Sequence, residues 1–363
     1  MDIKSAGTAL KTGRRSELWN PELDDTLVCI GVHQETHDVK TFTFASADHR
    51  SFVFDAGQYF LFDFEIDDAV ESRCYSISSS PQRGNAFSVT VKRVAGGKVS
   101  NWLHDNLAAG ARVKANGPLG RFVRNDRPGS RFMLLSGGSG ITPMMSMLRD
   151  MADTCEDADV VFLHAARTPR DLIFRGELAG LAEKIKGLRL HFLPEDRTGE
   201  LSWPGLSGRI SSDYLRLAVP DIAGRIVMCC GPAPFMAAAR SIVGELGVPA
   251  SNYVEESFDS AVIDETVEAP SEPAGARTFS VTFSKQGRTI DVTEEQTVLS
   301  CARKAGIRIP SSCANGICGT CKSKLLSGSV DMQHNGGIRQ REIDAGLFLP
   351  CCSRPLTDLV IER

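Results

Sequence analysis

The chain has 363 residues, of which 42% are apolar and 24% charged, and its formal net charge is −4. That length exceeds what one ordinary core fills, so two or three domains are expected. A pI near 6 leaves no basic excess for a nucleic-acid surface. No segment has the ~20 apolar residues of a membrane helix, and the N-terminus lacks the apolar core of a secretory signal, so no membrane attachment and a cytoplasmic location are expected.

Residues 1–25 are polar, with Arg14-Arg15 and Pro21, and are expected to be a poorly ordered extension. From 26 to 127 short β runs alternate with turn signals: Thr41–Phe44, Gln58–Phe64, Cys74–Ser78 and Phe87–Val91. Period-two alternation predicts an antiparallel barrel or sandwich. A helix is expected at Ser100–Ala109, with Ser100 as its N-cap. Over 128–258 the pattern changes to strands alternating with helices, which predicts a doubly wound parallel sheet. Its strand candidates are Arg131–Leu135, Val160–Ala165, Leu188–Leu193 and Ile226–Cys230, and its helix candidates follow Gly140 and cover Leu172–Ile185 and Phe235–Leu246. Residues 259–277 hold five acidic residues and two prolines and read as an interdomain tether. Residues 278–363 open with a hairpin pattern, Thr278–Ser284 and Thr289–Val292, then a helix at Val298–Ala305 and a cysteine-rich loop.

Of eleven cysteines, five crowd into the last fifty-odd residues. Cys313, Cys318 and Cys321 have C-x4-C-x2-C spacing, and Cys351-Cys352 follow some thirty residues later. This is the ligand spacing of plant-type [2Fe–2S] centres. Two irons and two sulfides need four thiolates converging on a small volume, and Gly316 and Gly319 let the loop curl tightly enough to supply three. Structural zinc sites use paired C-x2-C units instead, which are missing here. Residues 278–363 resemble a plant-type ferredoxin of α+β, β-grasp fold. In that family the last ligand lies four residues before a proline, a register that selects Cys351 through Pro355.

Arg73-Cys74-Tyr75-Ser76 fits R-x-Y-S, and Gly96-Gly97-Lys98-Val99-Ser100 precedes a helix. A guanidinium fork binds phosphate bidentately, an aromatic face stacks on a flat ring, and the unpaired amides of a helix N-terminus favour anions. Both motifs resemble the ferredoxin–NADP reductase superfamily. By that resemblance Arg73, Gly97, Val99 and Ser100 bind flavin phosphates, Tyr75 stacks on the isoalloxazine, and Ser76 lies at its reactive N5. FAD is the expected flavin, with FMN the alternative.

Ser136–Pro143 reads S-G-G-S-G-I-T-P between a strand and a helix. Its glycines bring backbone amides to a pyrophosphate, and Pro143 suits a first helical turn. The Rossmann fingerprint's third glycine is absent, but the segment is similar to the superfamily's G-G-x-G-I-T-P element, which implies nicotinamide binding through Gly138, Gly140, Thr142 and Pro143. The matching C-G-P element is Cys230-Gly231-Pro232, with Cys230 beside the nicotinamide and Cys229 left to packing. Relatives end this domain with an acidic residue and an aromatic near the flavin; here Glu256 and Phe258 are the candidates, and Glu255 competes. NADH is preferred over NADPH, though Arg167 and Arg170 follow the second strand, where a 2′-phosphate would be read.

The order flavin barrel, nicotinamide domain, ferredoxin resembles the reductase components of Rieske-type oxygenase systems, and most of all those serving quaternary-amine monooxygenases. The resemblance implies an NADH-dependent reductase that passes electrons through flavin and cluster to a terminal Rieske-type oxygenase acting on a substrate such as glycine betaine or carnitine. Ser76, Cys230 and Glu256 are then the candidate catalytic residues, the cofactors are FAD, [2Fe–2S] and NADH, and the tether lets the module swing. No cysteine sits in a C-x-H unit, so the oxygenase centre belongs to a partner. The alternatives are a reductase for another redox protein, such as hybrid-cluster protein, and a non-catalytic iron–sulfur sensor.

Overall fold

Aromatic and β-branched residues at every second position build the first sheet, because the buried face of a twisted antiparallel sheet needs bulk on one side only. The computed structural model describes residues 18–21, 23–124, 131–200, 202–258, 277–307, 309, 316, 319, 321–334 and 337–363. The strands are β1 (Thr26–Thr36), β2 (Val39–Ser46), β3 (Tyr59–Ile66), β4 (Ala69–Ser76), β5 (Phe87–Lys92) and β6 (Arg112–Leu119), ordered β4-β3-β6-β1-β2-β5. A bridge between Ile77 and Val89 joins the two ends, so the sheet curls into the expected antiparallel barrel. Phe42, Phe44, Phe60, Phe62 and Phe87 fill it, with Phe60 and Phe87 stacked 4.1 Å apart.

Two expectations are corrected here. The described residues of 18–25 are part of the barrel rather than a loose lead-in. The indole of Trp19 is buried between Phe52 and Phe60, at 5.4 and 5.5 Å, and its amide donates to the Ser51 carbonyl. A single large apolar ring outweighs the polarity of its neighbours. Residues 1–17 lie outside the described residues. The helix after the Gly-Gly pair, α1 (Lys98–Asn106), starts two residues early with Gly97 as N-cap. Gly96, at φ +72°, turns the chain in, and the Ser100 hydroxyl accepts from the Val94 amide instead of capping.

The second sheet is β7 (Phe132–Gly137), β8 (Val160–Ala166), β9 (Leu188–Pro194), β10 (Ile226–Cys230) and β11 (Tyr253–Glu256), all parallel and ordered β11-β10-β7-β8-β9. Helices α2 (Ile141–Asp153) and α3 (Arg175–Lys184) cover one face, and α4 (Ser212–Ala218) and α5 (Ala233–Glu245) the other. Burial on both faces explains why the strands read as unbroken apolar runs. The helix expected over Leu172–Ile185 begins only at Arg175, because Phe174 takes a left-handed φ of +58°. At the N-terminal edge, buried Arg225 pairs with Asp159 at 2.9 Å and Asp221 at 2.7 Å and donates to the Phe132 carbonyl.

The third sheet, ordered β13-β12-β18-β14-β16, mixes directions in the expected α+β, β-grasp arrangement. Its strands are β12 (Thr278–Phe283), β13 (Arg288–Thr293), β14 (Ser323–Ser327), β16 (Leu347–Phe348) and β18 (Leu359–Glu362), and β12 and β18 run parallel. Helix α6 (Val298–Lys304) packs on it, β15 (Val330–Met332) pairs with β17 (Ser353–Pro355), and α7 (Gln340–Asp344) lies between these two. The expected tether falls outside the described residues except for Arg277, and so do residues 125–130 at the expected junction of the first two domains. Among the described residues no helix is long and apolar enough to cross a membrane.

Candidate cofactor-binding and electron-transfer site

On β4 the Arg73–Ser76 motif pairs with Phe62–Tyr59 of β3. The Tyr75 ring leans on Phe62 and Phe64, at 6.0 and 6.4 Å. Arg73 donates to the Ser72 carbonyl at 2.7 Å and lies 3.5 Å from one Glu71 oxygen; the other Glu71 oxygen pairs with Lys98 at 3.3 Å. One carboxylate thus ties the arginine of the first motif to the first residue of α1. The N-terminus of α1 has no side-chain cap, and nothing lies within 4 Å of where a Cβ on Gly96 would sit. Unpaired amides, an arginine, a lysine and open space around a glycine make a cradle that fits a phosphate. Lys98 was not singled out in the sequence, because the helix was expected to start at Ser100; its place beside the Gly96-Gly97 pair was the available signal.

The parallel sheet reverses its winding between β7 and β10, and open α/β sheets bind ligands at the carboxyl ends of the strands flanking such a point. Both glycine motifs sit there. A Cβ on Gly140 would collide with the Cys230 carbonyl, and one on Gly231 would come within 3.0 Å of the Gly137 amide, so the two turns pack backbone against backbone. Gly138 has φ +53° and open space around its missing Cβ, which fits close approach of a dinucleotide. Thr142 and Pro143 lie in the first turn of α2, and the Thr142 hydroxyl donates to the Ser139 carbonyl.

Strand register then assembles a row across four strands. Cys230 on β10 lies between Ser136 on β7 and Glu256 on β11, and Ser136 lies beside His164 on β8. At the end of the row Ser76 of the flavin motif donates to Glu256 at 3.3 Å. Burial pushes the Glu256 carboxyl up to about 8, against the pull of the Ser76 hydroxyl. Glu255 points to the opposite face, where it pairs with Arg240 of α5, so the alternation of β11 separates the two candidates. Phe258 stands beyond the strand, 41% exposed. Cys229 is buried on the far face, and burial pushes its thiol up. His164 was missed in the sequence. It is fully buried, its Nδ1 lies 2.8 Å from the Ser136 hydroxyl, and burial pushes its pKa down to about 3, so it is neutral.

In the third domain Cys321 and Cys351 are buried together, and the Gly316 amide donates to the Cys351 sulfur at 3.3 Å. The Cys321 thiol, then that of Cys352 and the Gly316 amide, hold Cys351 well below the ordinary thiol range. A buried thiolate that accepts a backbone N–H fits a soft iron centre. Cys352 is half-buried and turns its thiol to the Leu349 carbonyl, 3.6 Å away. Gly316 and Gly319 both have positive φ, +76° and +67°. Cys313 and Cys318 lie outside the described residues.

Family comparison agrees with this division. Residues 27–123 match an oxidoreductase FAD-binding domain, 134–241 an oxidoreductase NAD-binding domain, and 281–356 a 2Fe-2S iron-sulfur cluster binding domain. The chain is 43% identical over 346 residues to the glycine betaine monooxygenase reductase subunit of Chromohalobacter salexigens, covering 92% of this chain and 94% of that one. It is 36% identical to the stachydrine N-demethylase reductase subunit of Rhizobium meliloti, over 93% and 96% of the two chains. In fold it is similar to phthalate dioxygenase reductase, with TM-score 0.57, 24% identity, and 95% and 100% of the chains covered. With an FAD domain, an NAD domain and a [2Fe–2S] domain in that order, the chain belongs to the oxidoreductase family of monooxygenase reductase subunits.

Proposed function

We propose that this chain oxidises NADH and supplies electrons to a Rieske-type monooxygenase that acts on a quaternary amine such as glycine betaine. The row Ser76–Glu256–Cys230 carries the reading, because Ser76 of the flavin motif is hydrogen-bonded to Glu256, and Glu256 lies in register beside Cys230 of the nicotinamide motif. When bound, FAD would supply acceptance of a hydride from NADH, and the [2Fe–2S] cluster would supply one-electron transfer. Arg73, with Gly97, Val99, Ser100 and the start of α1, holds the flavin phosphates, and Tyr75 lies on the ring. Gly138, Gly140, Thr142, Pro143 and Gly231 cradle the dinucleotide, with Cys230 at the nicotinamide and Phe258 near the flavin. Ser76 and Glu256 keep a proton at the junction: the raised Glu256 pKa leaves that carboxyl protonated at neutral pH. Cys313, Cys318, Cys321 and Cys351 hold the irons. The work is proposed to take place in the cytoplasm.

The test is reconstitution. Purified holoprotein mixed with a quaternary-amine oxygenase should consume NADH only when the amine is present, and NADPH should serve less well. NADH consumption indifferent to oxygenase and amine, with robust reduction of a different redox protein, would overturn the choice of partner.

A further inference from the structure

The ferredoxin module and the flavin barrel meet at a charged contact that the cofactor motifs do not explain. Asp25, just ahead of β1, accepts from Arg339 Nη1 and from Arg341 Nη2, each at 2.8 Å. Arg339 is 8% exposed, and its Nη2 donates to the Ala115 carbonyl at 3.0 Å; the Ala115 amide in turn donates to the Asp25 carbonyl at 2.8 Å. Taking a guanidinium this far out of water is unfavourable unless its N–H groups find acceptors. Here one fork grips a carboxylate and a backbone carbonyl at once. A planar fork held at two points fixes an angle as well as a distance.

Both ends of the contact lead directly to the proposed redox sites. On the barrel, Ala115 is in register with Phe62, and Phe62 with Arg73, so the contact lies two strands, roughly 10 Å, from the Arg73–Ser76 motif. On the module, the Arg339 amide donates to Glu342 Oε2 at 2.8 Å, and Glu342 Oε1 accepts from Lys322 Nζ at 2.8 Å. Lys322 follows the ligand candidate Cys321, and its amide donates to the Gly319 carbonyl. The Gly337 amide donates to the Gly316 carbonyl, and Gly316 donates to the Cys351 sulfur. The segment that bears Arg339 therefore also braces the cysteine loop.

We propose that Asp25, Arg339 and Arg341 form a docking latch that sets the orientation of the ferredoxin module on the flavin barrel for electron transfer within the chain. They are positioning residues, and the inference rests on the proposed flavin and cluster sites. Each transfer takes one electron from the NADH-reduced flavin and adds it to the oxidised cluster. With the cluster passing its first electron to the external oxygenase in between, two such transfers would return a bound flavin to its oxidised form and release its proton to water. The latch is ionic, and Arg341, 41% exposed, is its member most open to solvent screening.

The experiment uses the full-length holoprotein with Asp25→Asn and Arg339→Gln, and the milder Arg341→Gln beside them. Hydrogen exchange on the oxidised protein should show lost protection in β6 and α7 for the first two variants. Anaerobic stopped-flow mixing with NADH should show flavin bleaching at the wild-type rate. Cluster reduction, followed by EPR on rapidly frozen samples, should slow by roughly thirtyfold, the scale of truncating one partner of a buried charge pair. The cluster midpoint potential should not move. Unchanged exchange in β6 and α7 would overturn the latch, and so would lost protection with a wild-type rate of cluster reduction. Failure of the functional reading looks different: the wild type itself would lack NADH bleaching or a dithionite-induced EPR signal, while the exchange result would still judge the docking.

Discussion

Glu256 shows how one residue's surroundings set its chemistry. Its carboxyl titrates near 8 when folded against an ordinary 4.5, so the unfolded chain releases this proton first as pH rises. Between those values the folded state binds more protons, and stability falls with rising pH by up to ~1.4 kcal/mol per unit. Glu256→Gln removes that slope. Denaturation midpoints of the two proteins should coincide near pH 4.5 and separate in favour of the variant up to pH 8. Parallel curves across the range would contradict the assignment. The adjacent cysteines offer a second residue-level test. Cys351→Ser should abolish bound iron and the EPR signal, whereas Cys352→Ser, whose sulfur points to the Leu349 carbonyl, should retain both.

At the level of elements, the two glycine turns act as one part. Gly140 packs its backbone on Cys230, so Gly140→Ala must push β7 and β10 apart. Overpacking of this kind costs about 1–3 kcal/mol; the variant should unfold at lower denaturant and show a raised KM for NADH. Gly138→Ala meets no atom, only an unfavourable φ, and should cost less. These turns could be read in the sequence because glycine spacing encodes local backbone shape. The cysteine spacing was legible for the same reason. What the sequence did not disclose was long-range register: that Ser136 aligns with His164 and Cys230, or that Glu256 rather than Glu255 reaches Ser76. Local pattern also misjudged the cap of α1 and the start of α3, where Gly96 and Phe174 take positive φ.

For the whole molecule, the barrel is the hub. Its contact with the NAD domain joins apolar packing, where Val39, Ala56 and Phe122 share a buried cluster with the methionines of α2, to polar pairs: Arg124 pairs with Asp150 at 3.0 Å and with Glu156, Gln82 donates to Asp150, and the Ser146 hydroxyl donates to the Ser79 carbonyl. Arg124→Ala would leave Asp150, 4% exposed, without that partner, a change that typically costs about 3–5 kcal/mol. Calorimetry should then resolve separate transitions for the two domains where the parent protein shows coupled ones. The seat of Trp19 has a practical corollary. A version of this protein begun at Thr26, where the strand pattern starts, would leave an indole-sized hole against Phe52 and Phe60 and delete Asp25 as well. Such a truncation should emerge less soluble and shed its flavin more readily, so recombinant boundaries belong upstream of Trp19.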